Sequence, residues 1–158
     1  MPTAILLKSL IALAPVLALV IVLYRIDSHR LLGTHFIVKV FLAGCLIAFI
    51  CSWVNAFALD YSGIDFARHT RFVAPFIEEV LKASILVYLF RSHRIGFLID
   101  AGIVGFTVGA GFSFIENIYY LNHAHEAHYG VWVVRGFGTA IMHGGATALF
   151  AIISETLT

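Results

Sequence analysis

Ionisable side chains that could do acid–base chemistry lie within long apolar stretches of this sequence. One stretch holds Glu78, Glu79 and Lys82, a second holds Glu116, and a third holds His143. An ionisable side chain at mid-membrane costs about 2.5 to 3.5 kcal/mol on insertion scales, which makes it a candidate for a functional site. A glutamate can act as a general base toward water, and a histidine can donate to the oxyanion that forms on a carbonyl group. These residue types therefore predict a hydrolytic site.

The spacing within the first stretch separates the roles of its two glutamates. On a helix Glu78 lies four residues and Glu79 three residues before Lys82, so both carboxylates can face the ammonium group. One glutamate could thus be neutralised while the other stays available for chemistry. We take Glu79, the inner member of the pair, as the general base, and Glu78 could exchange roles with it. The structural alternative is that the glutamate–lysine pair only holds helices together.

The elements that carry these residues are expected to be membrane helices. The chain of 158 residues is 61% hydrophobic and 12% charged, whereas about a quarter of the residues in soluble domains are charged. The net charge of +1 argues against nucleic acid as a partner, because no basic stripe is present to neutralise phosphates. The sequence therefore predicts an all-α, polytopic transmembrane bundle in a lipid bilayer.

Five apolar segments are long enough to cross about 30 Å of hydrocarbon as helices. They predict a single membrane domain over residues 1–158, with spans at about 5–24, 35–59, 71–90, 97–121 and 132–153. No small-residue cleavage site follows the first span, so we expect that span to be retained. Glycines at helical spacing in the last two spans predict close packing between helices.

The depths of the ionisable residues place them in one half of the bilayer. At 1.5 Å per residue, Glu79, Glu116 and His143 lie about 12, 8 and 15 Å from the ends of their spans. Those ends border the second and fourth loops, which lie on the same face of the membrane. The glutamates and the histidine are therefore expected to converge.

The orientation is predicted from the arginines in the loops. Arg25 and Arg30 lie in the first loop, and Arg91 and Arg94 lie in the third. Because cytoplasmic loops carry an excess of basic residues, this bias places the amino terminus outside. The converging residues then lie in the extracytoplasmic half of the membrane.

The same donor set could instead bind a metal. Glu79, Glu116 and His143 could ligate zinc and leave an open position for water. A metal is the weaker alternative, because His143 is the one histidine within a span and soft ligands do not accompany it.

Three short motifs occur in order on successive spans, over about residues 71–153. They read Glu78-Glu79-Val80-Leu81-Lys82, Phe112-Ser113-Phe114-Ile115-Glu116-Asn117 and His143-Gly144-Gly145-Ala146-Thr147. An Asp-x-Gly-Ile-Val lead, Asp100 to Val104, precedes the second motif. The set resembles the PrsW family of intramembrane proteases, which is similar to the superfamily of the CAAX prenyl endopeptidases.

The resemblance implies an intramembrane endopeptidase of the bacterial cell membrane. Its substrates would be membrane-anchored proteins such as anti-sigma factors, cleaved near the extracytoplasmic face. Glu78 and Glu79 would supply the catalytic base, and Glu116 and His143 would complete the site. The supporting residues would be Lys82, Phe112, Asn117 and Thr147. The superfamily has been described both as metalloproteases and as glutamate proteases, so the resemblance leaves the cofactor open.

Two other functions are compatible with the sequence. A non-enzymatic membrane scaffold would use the buried charges only to hold its helices together. A small proton-coupled transporter would use buried carboxylates and a histidine to carry protons. The transporter is disfavoured because the five predicted helices show no inverted repeat.

Overall fold

The computed structural model describes residues 2–26, 32–92, 95, 97–124 and 127–157. Its α-helices are α1 (Pro2–Ile26), α2 (Thr34–Ser62), α3 (Phe66–Arg68), α4 (Ala74–Arg91), α5 (Leu98–His123) and α6 (Tyr129–Thr156). A π-helix, His69–Val73, joins α3 to α4. The described ranges contain no strand, which confirms the all-α prediction. Arg30 and Arg94, used above to predict the orientation, lie outside these ranges.

Within the described part of the chain, four helices are long and apolar enough to cross a membrane. These helices are α1, α2, α5 and α6. The remaining predicted span corresponds to the helical run 66–91, which carries more charges. Its main part, α4, has 18 residues, so it is about 27 Å long and close to the thickness of a hydrocarbon core. The bundle agrees with the prediction of about five spanning helices.

The π-helix has a local cause in Pro75, the second residue of α4. Proline has no N–H group, and its ring crowds the carbonyl group four residues earlier. The chain relieves this crowding by widening the preceding turn, where the N–H group of Ala74 bonds the carbonyl oxygen of His69, five residues away. The helical run therefore contains one residue more than a regular α-helix would use.

Helix α5 is the centre of the bundle because glycines bring other backbones against it. A Cβ atom at Gly109 would collide with the carbonyl group of His143 on α6, and one at Gly111 would collide with the carbonyl oxygen of Phe41 on α2. Small residues allow such close approach in membrane bundles. A Cβ atom at Gly145, in contrast, would meet open space.

Helix α1 is attached to this centre by packing and by a hydrogen bond. A Cβ atom at Gly136 of α6 would collide with the carbonyl oxygen of Ile11, and the ring of Pro15 lies beside the same position. The amide of Asn117, on α5, donates to the carbonyl oxygen of Ala12 at 3.0 Å. The polar residues of the second and third motifs thus belong to helices, α5 and α6, that are packed backbone to backbone.

Candidate active site

Lys82 is the most deeply buried cation among the described residues, and its side chain has no exposed surface. Its ammonium group donates to Oε1 of Glu79 and lies 3.0 Å from Nδ1 of His143. The same group lies 4.7 Å from the ring centroid of Phe112. The three N–H bonds of the ammonium group therefore have a carboxylate, an imidazole nitrogen and an aromatic face available to them.

His143 continues this network from α6 to α5. Because Lys82 donates to Nδ1, that nitrogen accepts, and the ring hydrogen lies on Nε2. Nε2 then donates to Oε2 of Glu116 at 3.0 Å. The ring of Phe112 packs against the imidazole, with 5.0 Å between the centroids.

Glu116 is held on its other side by Arg135. The guanidinium group donates to Oε1 of Glu116 at 3.0 Å and stacks 3.6 Å above the ring centroid of Tyr120. A continuous polar chain therefore runs from Glu79 through Lys82 and the imidazole to Arg135. It joins α4, α6 and α5 within the apolar interior.

Glu78 stands beside this chain without joining it. Its side chain is partly buried, and it lies within electrostatic range of His143 and Glu116. Among the residues that the structure describes, Glu78 forms no hydrogen bond or ion pair. The structure pairs Lys82 with Glu79, so the carboxylate left available for other chemistry is that of Glu78.

The charges of the site do not balance when the imidazole is neutral. Glu78, Glu79 and Glu116 carry three negative charges, while Lys82 and Arg135 carry two positive ones. Charges interact strongly in an apolar environment, so the excess negative charge favours the binding of one further proton. A site with one exchangeable proton can act as both a general base and a general acid.

Two residues of the predicted site support backbones instead of joining the polar chain. Asn117 is fully buried. Its amide nitrogen donates to the carbonyl oxygen of Ala12, and its amide oxygen accepts from the hydroxyl group of Thr139 at 3.3 Å. Thr147 donates to the carbonyl oxygen of His143 at 2.6 Å. Asn117 thereby joins α5 to α1 and α6, whereas the bond of Thr147 lies within α6.

The site opens to one side of the bundle. The side chain of Glu79 is 47% exposed, whereas that of Lys82 is fully buried. The neighbouring apolar residues Phe76 and Val80 of α4 are exposed as well. A polypeptide within the membrane could therefore approach the carboxylates laterally.

The comparisons with known proteins agree with these motifs. The family model described as PrsW family intramembrane metalloprotease matches residues 32–156, which include α2 to α6 and all the site residues named above. The chain belongs to the PrsW family. No curated protein and no solved structure matches it.

The PrsW family is described as metalloproteases, so the side chains of this member that could ligate a metal matter for its mechanism. Glu79, Glu116 and His143 are the expected ligands, but both ring nitrogens of the histidine are already engaged. The ammonium group of Lys82 lies between Glu79 and the imidazole, where it would repel a metal cation. The described residues contain no group of three or more His, Cys, Asp or Glu side chains placed to hold a metal ion. In this arrangement the residues do not fit a metal.

Arg135, Thr139 and Tyr120 belong to the site of this PrsW-family chain although its three motifs do not include them. Their positions could be found from helical spacing. Tyr120 follows Glu116 by four residues, and Arg135 and Thr139 precede His143 at intervals of four. Residues four apart lie on one face of a helix, so the positions of Glu116 and His143 are enough to predict that these neighbours face the site.

Proposed function

We propose that this chain is an intramembrane endopeptidase that hydrolyses membrane-anchored proteins with a glutamate-activated water molecule. The observation that carries the proposal is the carboxylate of Glu78, which has no partner among the described residues, beside the Glu79–Lys82–His143–Glu116 chain. Membership of a family of intramembrane proteases supports the peptidase activity itself.

Glu78 is the general base in this proposal. Its carboxylate removes a proton from water, and the water oxygen forms a bond to the carbonyl carbon of the scissile peptide. The C–N bond then breaks, and Glu78 returns the proton to the departing nitrogen. We assign this role to Glu78 and not to Glu79 because Glu79 is bound to Lys82.

His143 stabilises the oxyanion that forms on the substrate carbonyl. Its Nε2–H bond points at Glu116 in the absence of substrate, and the carbonyl oxygen would take the place of Glu116 as acceptor. Arg135 retains Glu116 when this happens, because it binds the other carboxylate oxygen. Lys82 keeps the ring in the tautomer that donates from Nε2.

The substrate proposed is a single-span membrane protein of the anti-sigma-factor type, cleaved near the extracytoplasmic face of a bacterial cell membrane. Lateral exposure of Glu79 supports access from within the bilayer. Arg25 lies in the last turn of α1 and Arg91 ends α4, and the loops that follow them face the cytoplasm under the rule for basic residues, with the amino terminus outside.

The test uses purified protein in liposomes and a single-span reporter whose two soluble ends carry different tags. Wild type is expected to cleave the reporter, and Glu78→Gln is expected to leave it intact while inserting normally. Absence of cleavage by wild type against several anchored reporters would contradict the proposal and favour a scaffold. Proton flux without cleavage would favour a transporter.

A chelator arm separates glutamate catalysis from the metal-dependent alternative. That alternative places zinc on Glu79, Glu116 and His143, and it is favoured only by the description of the family. Under our proposal the rate of cleavage is unchanged by a strong zinc chelator. Loss of cleavage in the chelator, with recovery on adding zinc, would show instead that the three side chains rearrange around a metal.

A further inference from the structure

His69 has an unusual environment for a histidine. Its side chain is 2% exposed, and neither ring nitrogen has a hydrogen-bond partner among the described residues. A buried polar group without a partner destabilises a fold by about 1 to 3 kcal/mol. Such groups in native proteins are commonly satisfied by ordered water.

The π-helix places His69 on the same face of its helical run as the proposed base. Ala74 follows His69 by five residues, the interval of the π turn, and Glu78 and Lys82 follow at intervals of four. Without the additional residue, Thr70 would occupy this face, and Thr70 is exposed in the structure. Ala74 is small and only partly buried, so it leaves room between the imidazole and Glu78.

A second unsatisfied group lies on α2, which packs against α4. Oδ1 of Asn55, on α2, is buried without a partner in the part of the chain that the structure describes. Asn55 lies one turn from Cys51, which belongs to the same apolar cluster as Phe112 and Leu81 and lies within electrostatic range of Glu78. From Cys51 to Asn55 the chain runs toward the carboxyl end of α2, and α3 then connects that end to the π-helix.

Glu78, Asn55 and His69 therefore form a series of polar groups that begins at the base. Asn55 lies about 6 Å beyond the level of Cys51, since four residues rise 1.5 Å each. His69 lies about 13 Å beyond Glu78 by the same measure, nine residues along the run. A file of about four or five water molecules would span that distance and would give these atoms hydrogen-bond partners.

We propose that His69 and Asn55 line the route by which water reaches Glu78 from the side of the loop between α2 and α3. The proposal rests on the hydrolytic function above, because the water delivered is the reactant of that chemistry. Polar and ionisable residues inside membrane bundles characteristically face the bundle interior or a water-filled cavity. The route explains why the chain keeps a widened turn and a buried imidazole without a protein partner.

The first experiment measures whether water reaches the space between His69 and Glu78. Ala74→Cys is made in the full-length chain after its two native cysteines are replaced by alanine. Phe76→Cys is the matched control, because Phe76 is 70% exposed on the outside of the same turn. Both proteins are treated in liposomes with a water-soluble methanethiosulfonate reagent. We expect Ala74→Cys to react at least about tenfold faster, since a thiol ionises only where water reaches it.

The second experiment blocks the route at its outer end. His69→Leu replaces the imidazole by an apolar side chain, and we expect it to slow the labelling of Ala74→Cys about tenfold. His69→Gln keeps polar atoms at the position, and its labelling rate should stay within about threefold of the parent. Equal labelling of Ala74→Cys and Phe76→Cys, or no effect of His69→Leu, would overturn the proposal.

The third experiment connects the route to cleavage of the tagged reporter. In the chain that keeps Ala74, His69→Leu should lower kcat about tenfold and change KM less than about twofold. The substitution restricts the access of water to Glu78 and leaves the binding of the polypeptide substrate unchanged. A raised KM with an unchanged kcat would show that His69 contacts the substrate, which overturns the water route. A chain that labels as expected but cleaves no reporter would contradict only the proposed peptidase function.

Discussion

His143 and Glu116 are joined by a hydrogen bond of 3.0 Å between Nε2 and Oε2, and this bond crosses the contact between α6 and α5. The backbone of His143 itself rests on Gly109 of α5, where there is no space for a Cβ atom. The distance between imidazole and carboxylate is therefore set by the packing of two backbones. Most of the site's geometry depends on this contact.

Gly109→Ala is accordingly expected to reduce both cleavage and stability. The added methyl group would push the carbonyl group of His143 away from α5 and lengthen the bond to Glu116, and overpacking of this kind costs about 1 to 3 kcal/mol. We expect at least a tenfold loss of cleavage and a lower melting temperature in detergent. Gly145→Ala is the control, since its methyl group enters open space. Equal activity of the two variants would contradict the role of this contact.

Glu78→Gln and Glu79→Gln should differ in their effects. Loss of a general base lowers rates about 100- to 10,000-fold, so Glu78→Gln should leave no measurable cleavage of the anchored reporter. Glu79→Gln removes the negative charge that pairs with Lys82 and should reduce the rate about tenfold. Rates are compared at equal amounts of inserted, folded protein. The reverse order of the two effects would assign the base to Glu79.

Lys82→Met should destabilise the bundle, because the ammonium group satisfies Glu79 and His143 together. Removing one partner of a fully buried ion pair costs about 3 to 5 kcal/mol. Because the Glu79 side chain is partly exposed, the cost is smaller here, and we expect the free energy of unfolding to fall by about 2 kcal/mol. The double variant Lys82→Met, Glu79→Gln should recover part of the loss in thermal unfolding. Additive losses would show that the two side chains do not interact energetically.

Arg135 is predicted to be a positioning residue that acts through Glu116. Arg135→Lys keeps the positive charge but loses the planar group that stacks on Tyr120, so it should not restore the geometry. We expect Arg135→Lys and Arg135→Gln both to lower kcat about tenfold, with little change in KM. Full activity in Arg135→Lys would mean that charge alone is sufficient, and that the stacked geometry is dispensable.

Much of the architecture follows from the sequence. Long apolar segments need internal hydrogen bonds in a bilayer, so helices were the expected elements. The depths of Glu116 and His143 depend only on the helical rise and on the ends of the spans. Their convergence was predictable for that reason, as was close packing at glycines such as Gly109.

Other features depend on contacts that spacing does not define. Intervals of three and four both allow a glutamate to face Lys82, and the choice of Glu79 depends on where His143 places its ring. The side-chain amide of Asn117 is of a type that can serve in catalysis, yet its partners are a carbonyl group on α1 and a threonine on α6. The carbonyl partner, Ala12, cannot be found without knowing how α1 packs.

The π-helix makes the two ends of one helical run respond differently to changes in length. Deleting Thr70 leaves His69 four residues before Ala74, the interval of a regular α-helix, so the imidazole keeps its face, but the ring of Pro75 then crowds the preceding turn. Deleting Val80 leaves Glu79 two residues before Lys82, which rotates the ammonium group by about 100° away from Glu79 and brings Glu78 to an interval of three. A single-residue loss near residue 70 therefore preserves the face of His69, whereas the same loss ten residues later breaks the Glu79–Lys82 pair.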